Sequence, residues 1–270
     1  MSTFYEVLTE AVADIVEHGF DSQKRIDDWL VKIRQAAIGS LIPQHKLELM
    51  VRKNFVDIYQ RMVVKGGILK HHKGLSQFTL DRVKPKLRNE LDRHIMANAK
   101  LITLNREAAV ETTLRRFAGW STSIPSGGTK AADKLATKTA VRKSLAQLPF
   151  QERRVAIDQG HKFISSLNQV LAVEHGALAG IWHSHWRRKG YNYRPDHKER
   201  DLRVYAVRGN WAFEKGLMKV GPDGYTDQIT QPAEEVYCEC FYQYVYNIQD
   251  LPEYMLTVKA KRAIMKVETV

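Results

Sequence analysis

The chain has only two cysteines in 270 residues, Cys238 and Cys240, separated by one residue. That excludes the disulfide framework that staples small secreted domains, and a bridge closed across one residue is strained. A reducing compartment, or assembly in one, is therefore expected. Long apolar runs are also missing. Nothing approaches the roughly 20 residues that a membrane helix needs, so no membrane partner is expected. Residues 1–20 carry early acids and no basic leader, so they do not read as a secretory signal. Acidic residues are in deficit, with 30 Asp and Glu against 42 Lys and Arg.

What is present is an ordinary globular composition. Hydrophobic residues make up 44% and aromatics 9%, enough to exclude a wholly disordered chain. The length suits one large domain or two small ones. A net charge of +12 favours a polyanionic partner, nucleic acid first. The excess is concentrated in residues 51–106, which hold thirteen Lys and Arg against Asp57, Asp81, Glu90 and Asp92. Arg52, Lys53, Lys70, Lys73, Lys84, Lys86 and Arg88 are the candidate phosphate contacts. No base-reading motif accompanies them, so contact with double-stranded DNA is expected to be sequence-independent and salt-sensitive. The plain alternative is a basic surface that only aids solubility.

The pattern predicts an α+β fold, predominantly α-helical. A basic helical region spans 1–117, a Gly/Ser-rich loop or linker 118–130, a third region 131–258 and a basic, loosely ordered tail 259–270. Thr3 and Glu6 form a capping box before a stripe of Phe4, Leu8, Val12 and Ile15. Further stripes run through Ile26, Trp29 and Ile33, through Leu47, Val51 and Phe55, and through Leu87, Leu91 and Ile95. Residues 68–79 read as a solvated loop, with His71 and His72 pointing apart. Ser126-Gly127-Gly128-Thr129-Lys130 only superficially suggests a phosphate loop, because the spacing is wrong and no strand precedes it. A helix over 131–148 is expected to end at Pro149, and a long helix to run from 151 to about 186. A small antiparallel β region follows, with strands at 204–207 and 234–248.

The densest chemistry lies between residues 182 and 246. On a strand, Cys238 and Cys240 share a face, which suits a metal better than a mutual bond. Zinc would draw its other ligands from His197, with Asp196 to orient it, and from one of His183 and His185, which diverge on a helix. The alternatives are two apolar buried thiols beside an aromatic strand, or a Cys–His or metal-dependent hydrolase or nuclease. No oxyanion loop or catalytic glycine motif supports catalysis. Internal pairing of Arg194, Asp196, Glu199, Arg200 and Asp201 across a helix-to-strand crossover is favoured, with no cofactor required and no enzyme expected.

Read in order, a long helix, Trp186, Tyr191, Tyr193-Arg194-Pro195-Asp196-His197-Lys198, Arg200-Asp201, a short strand, a glycine turn and Cys238-Glu239-Cys240 resemble the head morphogenesis family of tailed phages, the Mu F-like minor head proteins. The resemblance covers about residues 110–256 and rests on Arg194, Asp196, His197, Arg200, Asp201, Cys238 and Cys240. Two departures stand out. Leu202 occupies a turn position where the family has glycine, and Glu239 replaces the central arginine of Cys-Arg-Cys. The resemblance implies a minor capsid protein of the virion head near the portal vertex, present in several copies and assembled in the host cytoplasm. Its implied partners are the portal protein, the major capsid protein or scaffold, and packaged DNA.

Overall fold

The computed structural model describes residues 3–268. In order it comprises α1 (Phe4–His18), α2 (Gln23–Gly39), α3 (Gln44–Tyr59), α4 (Gln77–Ser121), α5 (Lys134–Glu174), β1 (Ala179–His183), α6 (Pro195–Glu199), β2 (Val204–Ala206), α7 (Trp211–Glu214), β3 (Phe241–Val245) and α8 (Val258–Glu268). The protein is mostly helical with a small antiparallel sheet near its C-terminus, as the sequence pattern predicts. No helix among the described residues is long and apolar enough to cross a membrane. Packing divides the chain into two compact units, each drawn from two segments: 1–51 with 97–155, and 52–96 with 156–270.

The first unit is helical. The Thr3 hydroxyl accepts the Glu6 N–H while the Glu6 carboxylate accepts the Thr3 N–H at 2.8 Å, closing the capping box of α1. Leu8, Val12 and Ile15 share one face at helical spacing and bury against Ile33, Val110, Leu114 and Phe117. Asp14 ties α1 to α2, accepting from Arg25 Nη1 at 2.8 Å and Trp29 Nε1 at 2.7 Å. The 118–130 stretch is no free linker. Its first four residues finish α4, and the rest packs on the end of α1. Gly127 N–H donates to His18 O and Thr129 N–H to Val16 O, both at 2.9 Å. Those N–H groups cap helix carbonyls and face no phosphate. A Cβ at Gly128 would lie 2.3 Å from Val16 O, so only glycine fits.

Two helices run longer than the sequence suggests. Both α4 and α5 continue through an internal proline, Pro85 and Pro149. Proline removes one helical N–H and crowds the preceding turn. Flanking side chains hold the helix together: Val83 and Leu87 are buried beside Pro85, and Leu148 beside Pro149.

The second unit carries the sheet, ordered β2-β1-β3, with both pairings antiparallel. Alternation sorts its two faces. Ala179, Val204, Ala206 and Val245 pack with Ala212, Met218 and Met255. Trp182, Tyr205, Tyr242 and Tyr244 pack with Ala172, Cys238 and Cys240. Gly180 is dictated by that second face, because a Cβ there would meet the Tyr242 ring at 2.9 Å. Three expectations change. The helix from 151 ends at Glu174, and 179–183 is the central strand. Regular strand structure covers only 241–245 of the expected 234–248. The tail is helix α8 up to Glu268, and residues 269–270 lie outside those described.

Residues 68–79 are also not a solvated loop. A 3-10 turn, Gly67–His71, leads to His72, which is fully buried and bridges to Tyr244 of β3. His72 Nε2 lies 2.9 Å from Asn168 Oδ1, and Nδ1 lies 2.5 Å from the Tyr246 hydroxyl. Burial lowers the His72 pKa to about 4. The neutral ring therefore donates from Nε2 to the amide oxygen and accepts the tyrosine proton at Nδ1.

Candidate metal centre

The centre is assembled from the turn after β1, helix α6 and the loop entering β3. Asp201 fixes the first of these. Its carboxylate accepts Ser184 N–H and Trp186 Nε1–H, both at 2.8 Å, and pairs with Arg187 at 3.2 Å. Burial alone would raise the Asp201 pKa, but these donors outweigh it and hold it below the ordinary carboxylate value.

Pro195 opens α6 at a position where its missing N–H costs nothing. Arg200 spans the helix, pairing with Asp196 at 2.8 Å, donating to Thr230 Oγ1 at 2.8 Å and lying over the Trp182 ring. Arg194 pairs with Glu235 at 3.0 Å and donates to Val236 O at 3.0 Å. The loop into β3 is sharply turned, with Ala233 and Tyr237 at φ +65° and +61°. Asp158 of α5 accepts the Tyr237 N–H. Glu239 is answered locally: Arg188 pairs with its carboxylate, and the Tyr191 hydroxyl accepts its N–H at 3.1 Å.

These ties bring His197, Cys238 and Cys240 together. All three are buried, at 1%, 1% and 4% exposure. Both sulfurs lie 3.5 Å from His197 Nδ1, and the three ligand atoms lie within 4.8 Å of one another. On the opposite edge of the ring, Nε2 lies 2.8 Å from Glu235 Oε2 and 3.8 Å from Asp196 Oδ2. Both cysteines are free thiols. A hydrogen bond from the Cys240 thiol lowers the Cys238 pKa to about 5 against the effect of burial, helped by the Ala233 N–H at 3.4 Å. The same contact with Cys238, together with burial, pushes Cys240 up.

Four sequence expectations are placed differently here. The cysteines precede β3 and do not lie within a strand, yet their sulfurs still converge. His183 ends a strand and is not on a helix, and His185 is outside the group of three. Glu235 is nearer to His197 Nε2 than Asp196, the carboxylate the sequence points to. Glu235 was hidden because its segment reads as alternating strand, and a strand residue three places from Cys238 does not fold back onto its neighbour's partner. Four of the nine other histidines gather elsewhere. His71, His161, His183 and His185 line a cleft of about 460 Å³ whose wall includes Cys240. Burial, then Lys70 and His183, lowers the His71 pKa to about 4.

The candidate phosphate contacts all fall in the second unit, and most are already paired. Lys53 meets Asp57, Lys84 meets Asp81, Lys86 meets Glu174 and Arg88 meets Asp92. Arg52, Lys70 and Lys73 are exposed. Comparison with protein-family models, curated proteins and solved structures found no match.

Proposed function

We propose that this chain is a structural protein of a tailed-phage head, assembled near the portal vertex, that supports head assembly and DNA packaging or delivery. One observation carries the reading. The residues of the family resemblance, Arg194, Asp196, His197, Arg200, Asp201, Cys238 and Cys240, bond to one another or to nearby backbone in a single knot. A motif whose members tie to one another around a buried His197, Cys238 and Cys240 reads as a folding signature. It accounts for their fixed order without assigning them a substrate. Of the two replaced positions, Glu239 meets Arg188, so the charge that departs from the pattern is compensated.

The partners in this reading are the portal, the shell or scaffold, and packaged DNA. A net charge of +12 suits a surface working among phosphates. Exposed Arg52, Lys70 and Lys73 are the residues assigned to non-specific backbone contact. The test is mass spectrometry and crosslinking of purified procapsids and mature particles from cells producing the phage. The expected result is the chain in the particles, crosslinked to portal. Its absence from both kinds of particle overturns the reading, as does hydrolysis of DNA or RNA by the purified chain that His197→Ala abolishes without unfolding it.

A further inference from the structure

We infer that His197, Cys238 and Cys240 bind a thiophilic divalent cation, zinc by its chemistry, as a clamp joining α6 to the loop that enters β3. This stands on local geometry and is independent of the phage reading.

Four observations converge on it. The first is distance. Tetrahedral zinc with Zn–S of about 2.3 Å and Zn–N of about 2.0–2.1 Å places sulfur and nitrogen about 3.6 Å apart. Both sulfurs here lie 3.5 Å from the same nitrogen. The second is valence. An imidazole nitrogen offers one proton or one lone pair in the ring plane, so Nδ1 can make a linear hydrogen bond to only one of the two sulfurs at 3.5 Å from it. An ion between the three atoms satisfies all of them. The third is the far side of the ring. Glu235 Oε2 lies 2.8 Å from Nε2, close enough to pair with it but not aligned as a hydrogen bond, which places a carboxylate where one commonly backs a metal-bound histidine. The fourth is shielding. The three residues are buried, and the Ala233 N–H points at Cys238 Sγ, as donors do around metal thiolates.

Two thiolates and an imidazole select zinc over calcium or magnesium, which prefer oxygen. Binding expels the thiol protons, so two thiolates and the dication leave the centre without net charge. Cys240 lines the histidine-walled cleft, and we assign the fourth position to water from that side. The ion would link residues about forty apart in sequence, and so hold the two sharp turns at Ala233 and Tyr237 in register with α6.

The test uses the full chain, produced in zinc-supplemented medium, kept under a thiol reductant and purified without metal-affinity steps. Elemental analysis should find about one zinc per chain. Cobalt(II) exchanged into the site should show the near-ultraviolet thiolate-to-metal charge-transfer band and the visible bands of a tetrahedral ion. Glu235→Gln keeps all three ligands and should weaken zinc binding by about 10–100-fold in a chelator competition. The Cys238→Ser, Cys240→Ser double variant should lose both zinc and the charge-transfer band. Should that variant not fold, the wild-type cobalt spectrum and the Glu235→Gln competition still decide the matter. A folded, reduced wild-type chain that takes up neither zinc nor cobalt overturns the proposal, and so does a folded double-serine variant that binds zinc as tightly as the wild type.

Discussion

At Leu202 the backbone adopts φ +66°, a region that favours glycine, while the side chain is 57% exposed. The Leu202 N–H donates to Trp182 O at 2.7 Å, so the conformation is held by the crossover between β1 and β2. A left-handed leucine costs about 1–2 kcal/mol, and glycine returns part of that gain through its freer unfolded state. Leu202→Gly should therefore stabilise the protein by about 0.5–1 kcal/mol, read as a higher urea midpoint with unchanged slope. A lower midpoint would mean that the leucine side chain contributes packing that its exposure hides. Glycine adopts this angle without strain, so the turn at 202 is one that glycine would suit. Glu235 was not legible in the sequence. Its role depends on a reversal at Ala233 and Tyr237, two residues that carry no composition signal for a positive φ.

Elements were legible where periodicity and capping agreed. Helix α1 begins at its Thr3–Glu6 box and ends at Gly19, as its pattern requires. Elements were misread where one local signal outweighed packing. Pro149 reads as a stop, yet α5 passes through it. The short run Ala179–His183 reads as the end of a long helix, because apolar strands and buried helix segments look alike over five residues. Its partners, Val204–Ala206 and Phe241–Val245, are distant in sequence. Most consequential is His72, which reads as a solvated loop residue but is fully buried against β3. Its pKa is lowered to about 4, so between pH 6.5 and pH 4 the unfolded chain binds a proton that the folded chain refuses. Stability should fall as pH drops through about 6.5, and the loss should level off below about 4. From pH 7 to pH 5 His72 should account for about 2 kcal/mol. Urea unfolding at the two pH values, compared with His72→Gln, measures it. Equal pH dependence in wild type and variant would contradict the assignment.

On the scale of the whole molecule, the sequence conveyed class and charge better than organisation. Mostly helical with a small C-terminal sheet follows from the order of periodic segments. The two compact units do not, because each is built from two separated stretches and their boundaries fall inside α3, α4 and α5. No composition change marks a boundary in the middle of a helix. Charge was legible as a sum but less so as a surface. Four of the seven candidate phosphate contacts are paired with carboxylates that sequence spacing alone partly discloses, such as Lys53 with Asp57. The candidate centre was half legible: His197, Cys238 and Cys240 were singled out together, whereas His185 and the orienting carboxylate were placed by folding.

A metal held by His197, Cys238 and Cys240 would clamp α6 to the loop entering β3 within the second unit. Zinc K-edge absorption of the reduced 270-residue chain is the decisive measurement. The expected spectrum shows two sulfur scatterers at about 2.3 Å, with an imidazole nitrogen at about 2.0–2.1 Å and one further light ligand. A spectrum fitted by oxygen and nitrogen alone would contradict it, as would a folded chain that carries no zinc.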